Sequence, residues 1–205
     1  MRIGTMFLGR VDALEGESIQ TKFFILGVPL APMSSYYVIR DLGNGVDGFE
    51  LPMVHGKSVL LGYLRMLSAI GAVLGGVFAY IERGDSVGLW VACVVCTALW
   101  AASMFVLGGI TPEEKAQRLA LRRWAGVGAP PELLDGERRD AIQAILERSW
   151  ARLCEELGAE QARDWRPLLA TPSRAPAGSE ELLYALARYE GEGERADAIW
   201  RHARA

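Results

Sequence analysis

Two apolar runs, Leu60–Ile81 and Val87–Ile110, dominate the pattern of polar and apolar positions. They are divided by the polar break Glu82-Arg83-Gly84-Asp85-Ser86. The second run carries no charge and the first carries only Arg65. Wound as helices at about 1.5 Å per residue, they reach roughly 33–36 Å, enough to cross a hydrocarbon core of about 30 Å. So short a break permits only a tight return, and the pattern predicts a helical hairpin. A chain of 205 residues is too small to wrap two such helices on every face, so a bilayer is their expected surroundings.

Ahead of the hairpin, residues 1–57 read as a small β-rich domain. Arg2–Gly9, Ser18–Leu26 and Ser35–Arg40 are rich in β-branched and aromatic residues, with Gly, Pro and Ser between them. Asn44-Gly45, between Tyr36–Arg40 and Val46–Leu51, is the strongest short hairpin signal. Pro29 and Pro32 confine their stretch to a sheet edge or a crossing loop. An antiparallel sheet of four or five strands is expected, too small to stand alone.

Residues 111–205 switch to helical period. Thr111-Pro112-Glu113-Glu114 has the parts of a capped helix start, and the helix it opens is expected to run to Gly126. Lys115, Arg118 and Arg122 fall on one stripe of it. In Asp135–Leu157, a wide apolar stripe through Ile142, Leu146, Trp150 and Leu153 opposes a charged face, and Gly158 stops the helix. Shorter helices are expected at Glu160–Ala170, at Glu180–Tyr189 behind an N-cap Ser179, and at Glu194–Arg204. The Pro- and Ser-containing stretch 171–178 reads as a linker. Gly136–Ile142 and Gly193–Ile199 resemble each other, as a degenerate helical repeat or as two similar helix starts. The expected fold class is an α+β membrane protein: a two-helix transmembrane hairpin between a small antiparallel β-rich N-terminal domain and a small all-α C-terminal domain.

Charge then sets sidedness. Lys57, Arg65, Lys115, Arg118, Arg122 and Arg123 flank the outer ends of the two runs, against Arg83 alone in the break. The positive-inside rule therefore places both termini in the cytoplasm, with the chain multi-pass in the inner (plasma) membrane. No apolar leader precedes residue 57, so the β-rich domain is expected to stay where it is made. Arg65 is positioned to snorkel to lipid headgroups, and Lys115, Arg118, Arg122 and Arg123 to meet them as well. The flanks are close to neutral, within a net charge of −3, which excludes a nucleic-acid footprint.

Motifs with chemical potential are sparse. Gly56-Lys57-Ser58 has the end of a phosphate-binding loop, but Leu51 stands where that pattern requires glycine. Cys93-Val-Val-Cys96 has redox or metal spacing, yet it lies inside a predicted span with no completing ligands. Two histidines, His55 and His202, sit in different domains. No cofactor, metal or catalytic residue is therefore assigned, although Arg40, Asp41, His55 and Lys57 are the polar residues an interfacial enzyme would need.

Gly71 and Gly75 form a small-xxx-small motif, extended by Ser68, Ala72, Gly76 and Ala79, which suits close helix packing. The partner face is either the second span, through Ala98, Ala101 and Ala102, or another copy. The expected function is a non-catalytic, membrane-anchored scaffold or adaptor that engages an unknown cytosolic protein through Trp150, Trp165 and Trp200. The alternative is a small subunit of an oligomeric transport or channel assembly packing through the Gly71/Gly75 face.

Overall fold

Antiparallel pairing of successive strands builds the first half of the chain. A computed structural model describes residues 3–26, 28–41, 46–82, 86–159 and 162–204. Strands β1 (Ile3–Leu14), β2 (Glu17–Leu26), β3 (Val28–Asp41) and β4 (Val46–Glu50) pair in sequence order as one four-stranded sheet. Glu15 and Gly16 both adopt positive φ in the two-residue β1–β2 turn, the geometry that matches strand twist. The expected Asn44-Gly45 turn lies outside the described residues, as do Arg83, Gly84 and Asp85 of the hairpin break.

β1 and β3 are longer than the residue pattern suggests. β3 takes in Pro29 and Pro32, and register shifts against β2 fall between Pro29 and Ala31 and between Pro32 and Ser34. β4 pairs only with Tyr36–Asp41, so the proline-bearing half of β3 has one free edge. A missing N–H costs little there.

Helices α1 (Gly56–Ile81) and α2 (Val87–Phe105) pack against each other, and α1 also packs on the sheet. Both are long and apolar enough to cross a membrane. The expected second run extended to Ile110, but α2 ends at Phe105. Gly108 and Gly109 follow, and the chain there turns back to β1. Sheet and hairpin thus belong to one compact unit, Met1–Ile110, rather than to two domains.

The second unit, Thr111–Ala205, contains α3 (Pro112–Ala125), α4 (Gly136–Glu156), α5 (Glu180–Glu190) and α6 (Gly193–Ala203). Thr111 Oγ1 accepts from the Glu114 amide at 3.1 Å and Asp135 Oδ1 from the Arg138 amide at 2.8 Å, so both helix starts are capped by side chains. Ser179 does not cap α5; its hydroxyl donates to Pro176 O. α5 packs against α3, α4 and α6, and Leu182 through Ala187 are all buried. A helix apolar on every side is the centre of its bundle.

Glu160–Ala170 is not a continuous helix: its described part holds a short 3-10 turn, Arg166–Leu169, with Pro167 inside it. The Gly136 and Gly193 segments do both begin helices, but Ala196, which replaces Arg139 in the comparison, is fully buried.

Tyr184, in the middle of α5, is almost fully buried, and burial pushes its phenol up to about 12 from an ordinary value near 10. Because the folded state holds this proton more tightly, the gain is complete below pH 10 and is lost as pH rises through about 12. By linkage it is about 2–3 kcal/mol. A phenolate absorbance titration of the full chain should show a late-titrating component that shrinks by one tyrosine in Tyr184→Phe.

Candidate functional site

The densest polar cluster in the first unit lies where β1 meets the two ends of the hairpin. Ser58, in the first turn of α1, donates to Gly9 O at 2.7 Å and accepts from Thr21 Oγ1 at 3.0 Å. Thr21 Oγ1 is 2.8 Å from Ser35 Oγ, which accepts the His55 amide at 2.9 Å. Thr21 has one hydrogen and gives it to Ser58, so Ser35 must donate to Thr21. The result is a one-way relay from the His55 amide to Gly9 O, with the three hydroxyls buried. The signal in the sequence was small polar residues at inward positions, Thr21 between Ile19 and Phe23 and Ser35 before Tyr37.

Two cations complete the joint. Lys57 Nζ lies 2.5 Å from Asp12 Oδ1 and donates to Gly109 O at 3.2 Å. Asp12 adopts a φ of 53°, and its amide donates to Gly108 O at 2.8 Å. Arg65 donates through Nε and Nη2 to Ser103 O, at 3.1 and 2.7 Å, and through Nη1 to Arg10 O at 2.8 Å. A cation on the last-turn carbonyl of α2 satisfies an orphan acceptor and opposes the negative end of the helix dipole. Cavities of about 410 and 310 Å³ adjoin this guanidinium, both lined by Arg10 and Met104. Arg65 was expected at lipid headgroups; three of its N–H groups are instead held by the chain's own carbonyls.

Lys57 and Ser58, the residues that imitate a phosphate-binding loop, are thus fasteners between helix and sheet. His55 Nδ1 accepts from the Ser58 amide and caps α1. Lys57 turns to Asp12, and the Asp41 side chain lies outside the described residues. The interfacial group Arg40, Asp41, His55 and Lys57 is therefore not assembled as one centre by the bonds described.

Within the hairpin, the small-residue face is filled by α2. A Cβ on Gly71 would come within 2.8 Å of Cys96 Sγ, and one on Gly75 within 3.4 Å of Cys93 Cβ. Gly76 lies beside Cys93 Sγ, which donates to Ala72 O at 3.4 Å. Ser68 and Ala79 are buried on the same helix. Cys93 and Cys96, rather than the expected Ala98, Ala101 and Ala102, meet the glycines, so the surface proposed for oligomerisation is occupied within the chain.

The C-terminal candidates are corrected by burial. Trp150, Trp165 and Trp200 are 1%, 4% and 4% exposed, so none forms a contact surface. Trp150 donates to Ala162 O at 2.9 Å, and Trp200 packs on Tyr184 with ring centroids 4.8 Å apart. Arg118 is buried as well, 3.3 Å from Glu114 Oε1, so it cannot reach a headgroup. Lys115 and Arg123 are exposed, Arg122 is half-buried, and Arg123 pairs with Glu181 at 2.7 Å.

Burial pushes the Cys154 thiol up, against a smaller opposite pull from Arg163, which makes it a poor nucleophile. Among the described residues no group of three or more His, Cys, Asp or Glu is placed to hold a metal ion. Comparison with protein-family models, curated proteins and solved structures found no match to this chain.

Proposed function

We propose that α1 and α2 cross a bilayer as a hairpin and that the chain acts there without catalysis, as a membrane-anchored scaffold for a cytosolic protein. The observation that carries the membrane half is the bareness of α2, in which Ser103 is the only buried residue. A core helix of a water-soluble protein hides most of its apolar surface; this one presents it to its surroundings. Lys57, Arg65, Lys115, Arg122 and Arg123 against Arg83 favour both termini on the cytoplasmic side of the plasma membrane.

The scaffold half rests on what the charged groups do. Lys57, Asp12 and Arg65 are engaged in fastening backbone, and the buried thiol of Cys154 is quiescent. That leaves one unit that includes the lipid anchor and a second, helical unit following it in the chain, with the outer surfaces of α3 and α4 as the polar faces open to a partner.

Carbonate extraction should leave the chain in the membrane pellet, and release into the aqueous fraction would overturn the anchor. Reporter fusions at residues 84 and 205 should report opposite sides. Purification in mild detergent should return a stoichiometric protein partner; recovery of the chain alone would remove the scaffold role.

A further inference from the structure

Charge is distributed unevenly along the strands of the sheet. From Phe23 to Ile39 the chain has no Asp, Glu, Lys or Arg, and neither does Ile3 to Gly9. Through the pairing of Thr5 with Phe24 and of Phe24 with Ala31, the parts of these segments beyond Lys22, residues 3–6, 23–26 and 28–33, form one end of β1, β2 and β3. Arg10, Asp12, Glu15, Glu17, Arg40, Asp47 and Glu50 all lie towards the other end. Lys22, half-buried opposite Phe7 and Ser34, marks the boundary.

Phe23 at this end is buried against α1, but several of its described apolar neighbours are open. Met6 and Met33 are each 54% exposed, and Phe24, Leu26 and Leu30 are exposed beside them. A strand end facing water ordinarily carries charge that discourages edge pairing, and this one carries none. It is also continuous with the apolar hairpin. The Phe23 ring packs edge-on to Tyr63 at 5.2 Å, and Tyr63 Oη donates to Leu30 O at 3.1 Å, in the second turn of α1. The exposed Leu60 begins the apolar surface of that helix at the same level.

We infer that this end of the sheet, through Met6, Phe24, Leu26, Leu30 and Met33, is seated in the interfacial layer of the bilayer, where the occupant of the apolar surface is lipid. The inference rests on the membrane reading of the hairpin. Free strand edges cannot enter the hydrocarbon core, where no water satisfies their N–H and C=O groups. The headgroup boundary hydrates those groups and still accepts apolar side chains to a depth of about 5–10 Å. Pro29 and Pro32 remove two donors from the half of β3 that β4 leaves unpaired. Tyr63 then sits at the interface as an aromatic anchor whose hydroxyl is committed to the sheet.

The test is photocrosslinking of the full-length chain in phosphatidylcholine nanodiscs, with p-benzoylphenylalanine in place of Phe24, Leu30, Val94 or Asp47, one at a time. Phe24, Leu30 and Val94 are exposed apolar positions and Asp47 is an exposed charged one, so the fold tolerates the probe. Lipid adducts at Phe24 and Leu30 should approach the yield at Val94 and exceed that at Asp47 at least about tenfold. An adduct at Val94 with none above the Asp47 level at Phe24 and Leu30 overturns this inference and leaves the hairpin in the membrane. Absence of an adduct at Val94 overturns the membrane reading and this inference with it.

Discussion

Gly9→Val should detach the sheet from α1. A Cβ at residue 9 would lie 1.9 Å from Ser58 O, and the backbone there has a φ of +69°. Both penalties apply at once: left-handed strain for a β-branched residue, and overlap with helix backbone that has nowhere to go. Together they cost roughly 4 kcal/mol. The Ser58–Gly9 hydrogen bond goes with them, which leaves the hydroxyl relay open at its accepting end. Protease cleavage of the 51–55 connection in nanodiscs should become faster than in the parent chain. Gly4→Val is the control, because nothing lies within 4 Å of a Cβ there. If both variants resist protease equally, residue 9 does not hold the joint.

Leu186→Ala should be the most damaging single truncation in the helical unit. Leu186 is fully buried in α5, which touches all three other helices, so the cavity cannot be closed by moving one neighbour. A loss of about 2–5 kcal/mol is expected, and Leu186→Asp, which buries an unpaired charge, should abolish the unit's fold. Hydrogen exchange on the full chain reads this directly: amides of α5 and α6 lose protection while those of α1 keep theirs. Leu157→Ala, at a position 49% exposed, should change protection little.

The hairpin was legible because a long run without charge has few physical outcomes, and the caps at Thr111 and Gly158 because they are local chemistry. The end of α2 was not legible. It is set by Arg65, far away in sequence, whose guanidinium takes Ser103 O and occupies the space beside Gly108. The tryptophans misled for a related reason: an aromatic on an amphipathic stripe looks the same whether its partner is another protein or the next helix of its own chain. Arg118 misled similarly, since a basic residue at helical spacing gives no sign that it will be buried while its partner Glu114 stays largely at the surface. The apolar run Leu182–Ala187 was a usable sign that α5 is central, because a segment without a polar face leaves no side for solvent.

The hydroxyl relay at the foot of the hairpin has a thermodynamic consequence. Each hydrogen in it points the same way, so no member can reverse without stranding the next, and a partly opened state leaves at least one group unsatisfied. Separation of the strands from the helix should therefore be cooperative at this joint, the three hydroxyl bonds opening together rather than one by one.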